Sequence, residues 1–328
     1  KNGQILEEGI TEAGAISSWI AAATSYSTHG KTMLPFYIFY SCFGFQRIGD
    51  LVWTAGDSRA RGFLLGATAG RTTLSGEGLQ HEDGSSHLLF STVPNCVAYD
   101  PTYGYEVVTI IQDGMKRMLE KQHDVFYYVT VMNENYCHPS MPKDAEVGII
   151  KGMYCLQKNK QSATAHAQLL GSGTILRETL AASELLKSDW KVSTDVWSVT
   201  SFTELRRDGL CIDRENMYNS NSPDKVTWVE KCLGSTIGPI IASTDYMRAV
   251  PDMIRTWVPR RYVTLGTDGY GRSDTRKSLR DFFEVDRFHI TLATLKALVA
   301  EGSIDKSVLS KALKKYGLKS DRPNPWDI

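Results

Sequence analysis

Two places in this chain combine carboxylates and imidazoles with surroundings that could put them to chemical use. Glu12 lies within Ile10-Thr11-Glu12-Ala13-Gly14-Ala15-Ile16. A solvated carboxylate is out of place in so apolar a string. Burial there raises a carboxyl pKa, and shifted carboxyls gather at functional sites. The residues alone leave a half-exposed helix face open as the other reading. The second place is the run Gly76 to His87 (GEGLQHEDGSSH), which packs Glu77, His81, Glu82, Asp83 and His87 among three glycines. Loops of this kind carry catalytic groups more often than core elements do, and histidine titrates near neutrality. Nearby acids would raise the pKa of His81. A purely solvated loop has the same composition.

Two glycine turns offer less. Gly171-Ser172-Gly173 follows a strand-like run and opens a helical one, so its amides could hold an anion. Leu176 stands where the third glycine of a dinucleotide fingerprint belongs, which favours a packing turn. Gly266-Thr267-Asp268-Gly269-Tyr270-Gly271 also follows a strand but lacks the Gly-Lys-Ser/Thr of a phosphate loop. A structured loop at a domain or subunit contact is at least as good a reading there as a site.

The elements that must position these groups alternate. A buried helix is expected over 9–26, and the aromatic stretch 34–45 is expected to run on into a helix over 48–55. Short strands are expected at 96–99 and 125–131, with a helix over 105–121 between them. Pro139 and Pro142 punctuate Cys137 to Asp144, which reads as a domain junction and divides the chain into 1–141 and 142–328. Beyond it strands at 167–170, 192–199, 239–242 and 262–265 interleave with helices, the last of them over 289–300. Interleaving of this kind implies α/β architecture in both halves, each a mostly parallel sheet covered on both faces.

Composition narrows the function classes. Lys plus Arg and Asp plus Glu number 37 each, so no global field draws in nucleic acid or a membrane surface. No apolar run is long enough to span a bilayer. Six scattered cysteines with no C-x-x-C pair suggest reduced thiols in a cytoplasmic protein, and the 7 histidines form no metal-ligand pattern. Lys1-Asn2-Gly3-Gln4 has neither an initiator Met nor a signal peptide, so the chain is expected to begin partway through a longer protein.

Longer strings resemble one family. They are Leu34 to Ser41 (LPFYIFYS), Phe43 to Asp50 (FGFQRIGD), Gly76 to Gly84 (GEGLQHEDG), Ser198 to Leu205 (SVTSFTEL), Ala242 to Met247 (ASTDYM) and Leu265 to Asp274 (LGTDGYGRSD). Together they are similar to the homodimeric, bacterial-type pyruvate dehydrogenase E1 component, in its C-terminal half. The resemblance implies a partial pyrimidine-binding domain of the thiamine diphosphate fold over 1–141. A transketolase C-terminal-like α/β domain is implied over 142–328.

It also implies residue roles. Glu12, in Glu8-Gly9-Ile10-Thr11-Glu12, matches the glutamate at N1′ of the thiamine aminopyrimidine, where it favours the tautomer that activates the thiazolium. That match favours the functional reading of Glu12. Phe43 matches the aromatic that stacks on the pyrimidine, and Tyr40 a neighbouring tyrosine. Glu77 and His81 match a loop acid and histidine near the reacting carbon, for substrate orientation, proton transfer or lipoyl steering. Ser85 stands where the family has a second histidine, with His87 retained, and Asn135-Tyr136-Cys137-His138 is displaced by one residue from the family string. The implied cofactors are thiamine diphosphate and Mg²⁺. The family's Gly-Asp-Gly metal motif is not found here, so the metal ligands are expected on a missing N-terminal half. The implied reaction is oxidative decarboxylation of pyruvate with reductive acetylation of a lipoyl group. Its partners would be that missing half, a second E1 subunit, and the lipoyl domain of the dihydrolipoyl acetyltransferase. A related enzyme for another 2-oxo acid or a ketose is an alternative, as is a non-catalytic assembly fragment.

Overall fold

The computed structural model describes residues 3–159 and 165–328. A first sheet holds β1 (Phe36–Tyr40), β2 (Phe63–Ala67), β3 (Cys96–Tyr99) and β4 (Phe126–Thr130), all parallel, in the order β1-β2-β4-β3. β4 is buried along its whole length, as apolar strands covered on both faces are. One face packs Leu64, Phe126 and Tyr128 against α1 (Glu12–Ala23) and α2 (Ser41–Asp57) through Ile16, Trp19, Ile48 and Val52. The other packs Phe63, Tyr127 and Val129 against Ile110 of α3 (Gly104–Met115). Ala145, Ile149 and Tyr154, beyond the proline-rich stretch, complete that second core.

The second sheet runs β5-β7-β6-β8-β9, with β5 (Met153–Gln157), β6 (His166–Gly171), β7 (Ser193–Val199), β8 (Ile240–Ser243) and β9 (Tyr262–Leu265). Only β5 is antiparallel. Successive residues face opposite ways: Leu169 joins α4 (Ile175–Trp190), while Leu170 faces α5 (Phe202–Tyr218). Further along come α6 (Arg276–Phe282), α7 (Arg287–Ala300) and α8 (Ser307–Tyr316). Among the described residues no helix is long and apolar enough to cross a membrane.

Several elements depart from the sequence expectation for identifiable reasons. The aromatic stretch around Phe36 forms strand β1 before α2 begins, because Phe39 turns inward between exposed Ile38 and Tyr40. β2 lies in a segment given no element. The helix that the interleaving calls for between β8 and β9 is reduced to two short turns, Ala249–Asp252 and Arg255–Trp257, around Pro251, which cannot continue a helical ladder. The last α-helix is α8, past Gly302, rather than α7, and a 3-10 turn over Pro325–Asp327 follows it.

The halves are joined by many polar contacts. Asp100 donates its N–H to the Thr200 carbonyl at 2.7 Å. Ser201 donates to the Ala98 carbonyl at 2.5 Å, and Thr102 to that of Gly173 at 2.6 Å. Glu134, past β4, accepts from Arg177 at 2.6 Å and also from Arg280.

Candidate active site

Parallel sheets present their ligand sites at the carboxyl ends of the strands. There β1 ends at Tyr40 and passes at once into α2, which sets Tyr40 and Phe43 on the first turn of that helix. Their rings lie 5.4 Å apart. Four residues on from Phe43, and therefore on the same helix face, Arg47 places its guanidinium carbon 4.2 Å from the Phe43 ring centroid. The same guanidinium donates to the Glu12 carboxylate at 2.5 Å. Thr11 caps α1 by accepting from the Gly14 N–H, leaving Glu12 in the first turn, where the helix dipole favours an anion.

The long loop after β2 supplies the rest. It folds into a turn, Leu79–His81, that brings the His81 ring edge-on to Tyr40 and to Phe43, each 5.1 Å away. His81 Nδ1 is enclosed and, among the described residues, has no hydrogen-bond partner. Glu12, Arg47, Phe43, Tyr40 and His81 thus form one unbroken chain of contacts.

Three expectations need correction. Glu12 is not buried in apolar surroundings: its side chain is 22% exposed and ion-paired, because Ile10 and Ala13 face solvent while Ile16 turns away into the core. Glu77 stands exposed and, among the described residues, makes no hydrogen bond or ion pair, so the structure does not bring it into the cluster. Nor do the loop's other acids surround His81. Asp83 accepts from the Ser85 and Ser86 N–H groups and from the Ser86 hydroxyl at 2.6 Å. Glu82 is 1% exposed, and among the described residues neither carboxyl oxygen has a hydrogen-bond partner. Burial, aided by Asp245 and Glu77 and opposed by Arg71, pushes its pKa up to about 8.

His87 is also apart from the cluster. Its Nε2 meets Thr130 Oγ1 at 3.2 Å and its ring abuts Tyr246, and burial pushes its pKa down to about 4. His138 accepts from the Gly104 N–H at 2.8 Å and stacks on Tyr136. Gly171-Ser172-Gly173 is a packing turn: Gly173 donates to the Asp100 carbonyl and Ser172 meets Thr244. Asp281, Asp286 and His289 lie close together, but Asp286 caps α7 and Asp281 pairs with Arg322.

The second half suspends the site loop. Asp245 accepts from the Thr72 N–H and from the hydroxyls of Thr72 and Thr73, both at 2.6 Å. Arg71 donates its N–H to the Asp245 carbonyl, Gly76 to that of Asp274, and Met247 to that of Gly84. Arg276 donates to the Thr73 carbonyl at 2.5 Å. The sequence shows that Arg47 lies four residues from Phe43, but its pairing with Glu12 depends on how α1 and α2 pack.

Comparison with known proteins accounts for both halves. Residues 1–139 match a family model described as the pyruvate dehydrogenase E1 component middle domain. Residues 152–286 match a transketolase-like C-terminal domain. The pyruvate dehydrogenase E1 component of Pseudomonas aeruginosa is 63% identical over 328 residues, covering 100% of this chain and 37% of that protein. That of Cupriavidus necator is 58% identical over 329 residues, with coverage of 100% and 37%. The chain therefore spans well under half the length of these relatives. Among solved structures, Campylobacter jejuni transketolase superposes with a TM-score of 0.65 at 17% identity, covering 88% of this chain and 39% of that one, a likeness of fold alone.

Proposed function

We propose that this chain, which belongs to the pyruvate dehydrogenase E1 component family, builds the aminopyrimidine side of a thiamine diphosphate site for oxidative decarboxylation of pyruvate. The acetyl group would then pass to a lipoyl group of the acetyltransferase component. The observation that carries this reading is the contact chain from Glu12 through Arg47, Phe43 and Tyr40 to His81. Its residue types fit the cofactor: an acid to bond a ring nitrogen, a flat ring to stack, and a partnerless buried nitrogen on His81.

In this reading Glu12 holds a proton at the aminopyrimidine N1′, Phe43 stacks on that ring, and Tyr40 lines its edge. Arg47 fixes the Glu12 carboxylate beside Phe43. His81 orients the 2-oxo acid or moves a proton near the reacting carbon, and Glu77, on the exposed approach, steers the incoming lipoyl group. When bound, the cofactor supplies the nucleophile and the electron sink that decarboxylation needs. Mg²⁺ and the diphosphate belong to the part of the enzyme outside these residues, as the 37% share of the relatives supports. The division near residue 141, the second E1 subunit and a cytoplasmic location are parts of the same proposal.

Glu12→Gln in the full-length enzyme tests it. Gln keeps the shape but cannot supply the proton, so exchange of the thiazolium C2 hydrogen into deuterated water should slow about 10²–10⁴-fold, with the melting temperature little changed. An unaltered exchange rate would remove Glu12 from the mechanism. Absence of CO₂ release from pyruvate by the wild-type enzyme would remove the reaction itself.

A further inference from the structure

The loop that carries Glu77 and His81 has a second attachment to the C-terminal half, made by one side chain. Arg71 leaves the end of β2 and sends its guanidinium between the two halves. Nη1 donates to the Thr267 carbonyl at 2.5 Å and also to that of Gly269. Nε reaches the carbonyl of Glu82, the residue after His81, at 3.4 Å. A Cβ on Gly84 would lie 2.3 Å from the guanidinium, so the loop lies flat on the fork only because residue 84 has no side chain. On the far side, Gly271 packs so closely against Glu82 that a Cβ there would lie 2.5 Å from the Glu82 Cβ. Carbonyls of 267 and 269, guanidinium, and the 82 carbonyl form one relay, and its last member belongs to the residue that follows His81.

We propose that Arg71 is a positioning residue, through which the 266–271 loop of the C-terminal half sets where His81 stands over Tyr40 and Phe43. Among the described residues no hydrogen bond, ion pair or ring contact joins Arg71 to Glu12, Phe43 or Tyr40, so it acts through the backbone of the loop. Its planar fork is what the geometry uses, since a single nitrogen serves two carbonyls while another reaches a third. An ammonium on a flexible stem supplies charge beside Asp83 and Asp245 without that registration. Asp245 supports the same loop from below through Thr72 and Thr73, so losing the fork should loosen the loop's tip and leave its root attached.

The kinetic side of this inference rests on the reading of His81 as a site residue; the exchange side does not. In the full-length enzyme, Arg71→Met should lower kcat for pyruvate about 10- to 100-fold, the scale of a displacement near 1 Å at a reacting group. Thiamine diphosphate affinity, set by Glu12 and Phe43, should change less than about twofold by the same argument. Hydrogen–deuterium exchange should speed up in a peptide covering 76–87 but not in one covering 36–57. Arg71→Lys should fail to restore kcat, and millimolar guanidinium should restore part of it in Arg71→Ala. Unchanged exchange in 76–87, exchange accelerated everywhere alike, or full rescue by lysine each overturns the proposal. If Arg71→Met does not fold, the lysine variant decides by the same peptide comparison. Should the wild-type enzyme not act on pyruvate, the functional reading falls, and the exchange comparison still judges Arg71.

Discussion

Replacing Glu82 by Gln should make the site loop hold more firmly as the pH rises from about 5 to about 8, relative to wild type. The carboxyl is 1% exposed, has no partner on either oxygen, and lies close to Asp245. In the closed loop it therefore keeps its proton up to about pH 8, whereas in an opened, solvated loop it ionises near 4.3. Below that lower value both forms hold the proton and pH has no effect through this group. Between the two values the open form has released its proton and the closed form has not, so rising pH favours opening. Above about 8 both are ionised and the penalty is constant. A shift of this size corresponds to at most about 5 kcal/mol, at about 1.4 kcal/mol per unit.

The assay is amide exchange at Met247, Gly76 and His81, whose N–H groups bond Gly84, Asp274 and Gly78 carbonyls. Taking the ratio of protection in Glu82→Gln to that in wild type at each pH cancels the intrinsic base catalysis. The ratio should climb by up to about tenfold per pH unit through the window and level off above it. A buried amide also lacks partners at this position, which adds an offset that does not vary with pH. A ratio that stays flat from pH 5 to 9 would refute the argument that the closed loop holds Glu82 as a neutral acid.

In the full-length enzyme, His81→Ala should lower turnover of pyruvate or transfer to lipoamide about 10²-fold or more while thiamine diphosphate affinity stays near wild type. Collapse of that affinity with normal turnover at saturating cofactor would reverse the assignment. The 328-residue chain by itself should neither bind thiamine diphosphate tightly nor decarboxylate pyruvate, because Mg²⁺ needs oxygen ligands bridging protein and phosphates. Calorimetric titration giving a micromolar Kd for the isolated chain would contradict this.

Much of this architecture is legible in local sequence. Strand β9 begins and ends where its pattern places it, at Tyr262 and Leu265, because Thr-containing apolar runs bounded by Gly are strongly strand-like. The aromatic stretch at 36–40 was harder, since five residues cannot separate a period of 2 from one of 3.6 and only pairing with β2 settles it. Glu12 shows the same limit at a site residue. Its neighbours are apolar, but whether apolar neighbours enclose a carboxylate depends on where their side chains point. Ile10 points to solvent and Arg47 arrives from 35 residues away. Composition likewise suggested that acids crowd His81, whereas the real partners of Asp83 and the real enclosure of Glu82 depend on loop conformation and on the second half.

That dependence gives the C-terminal half a physical role in the site although it contributes none of the five clustered side chains. A loop from 71 to 87 with glycines at 76, 78 and 84 has too much conformational freedom to hold an imidazole in register by itself. The aromatic pair beneath fixes only where the His81 ring can rest. The orientation of the backbone must come from elsewhere, and the hydrogen bonds that fix it run to Asp245, Thr267, Gly269 and Asp274. Each belongs to the turns following β8 and β9, the carboxyl ends of two parallel strands in the second sheet. The same strand ends that in a lone α/β domain would face a ligand are here turned on a neighbouring loop. The second sheet is thereby a support for the first sheet's site.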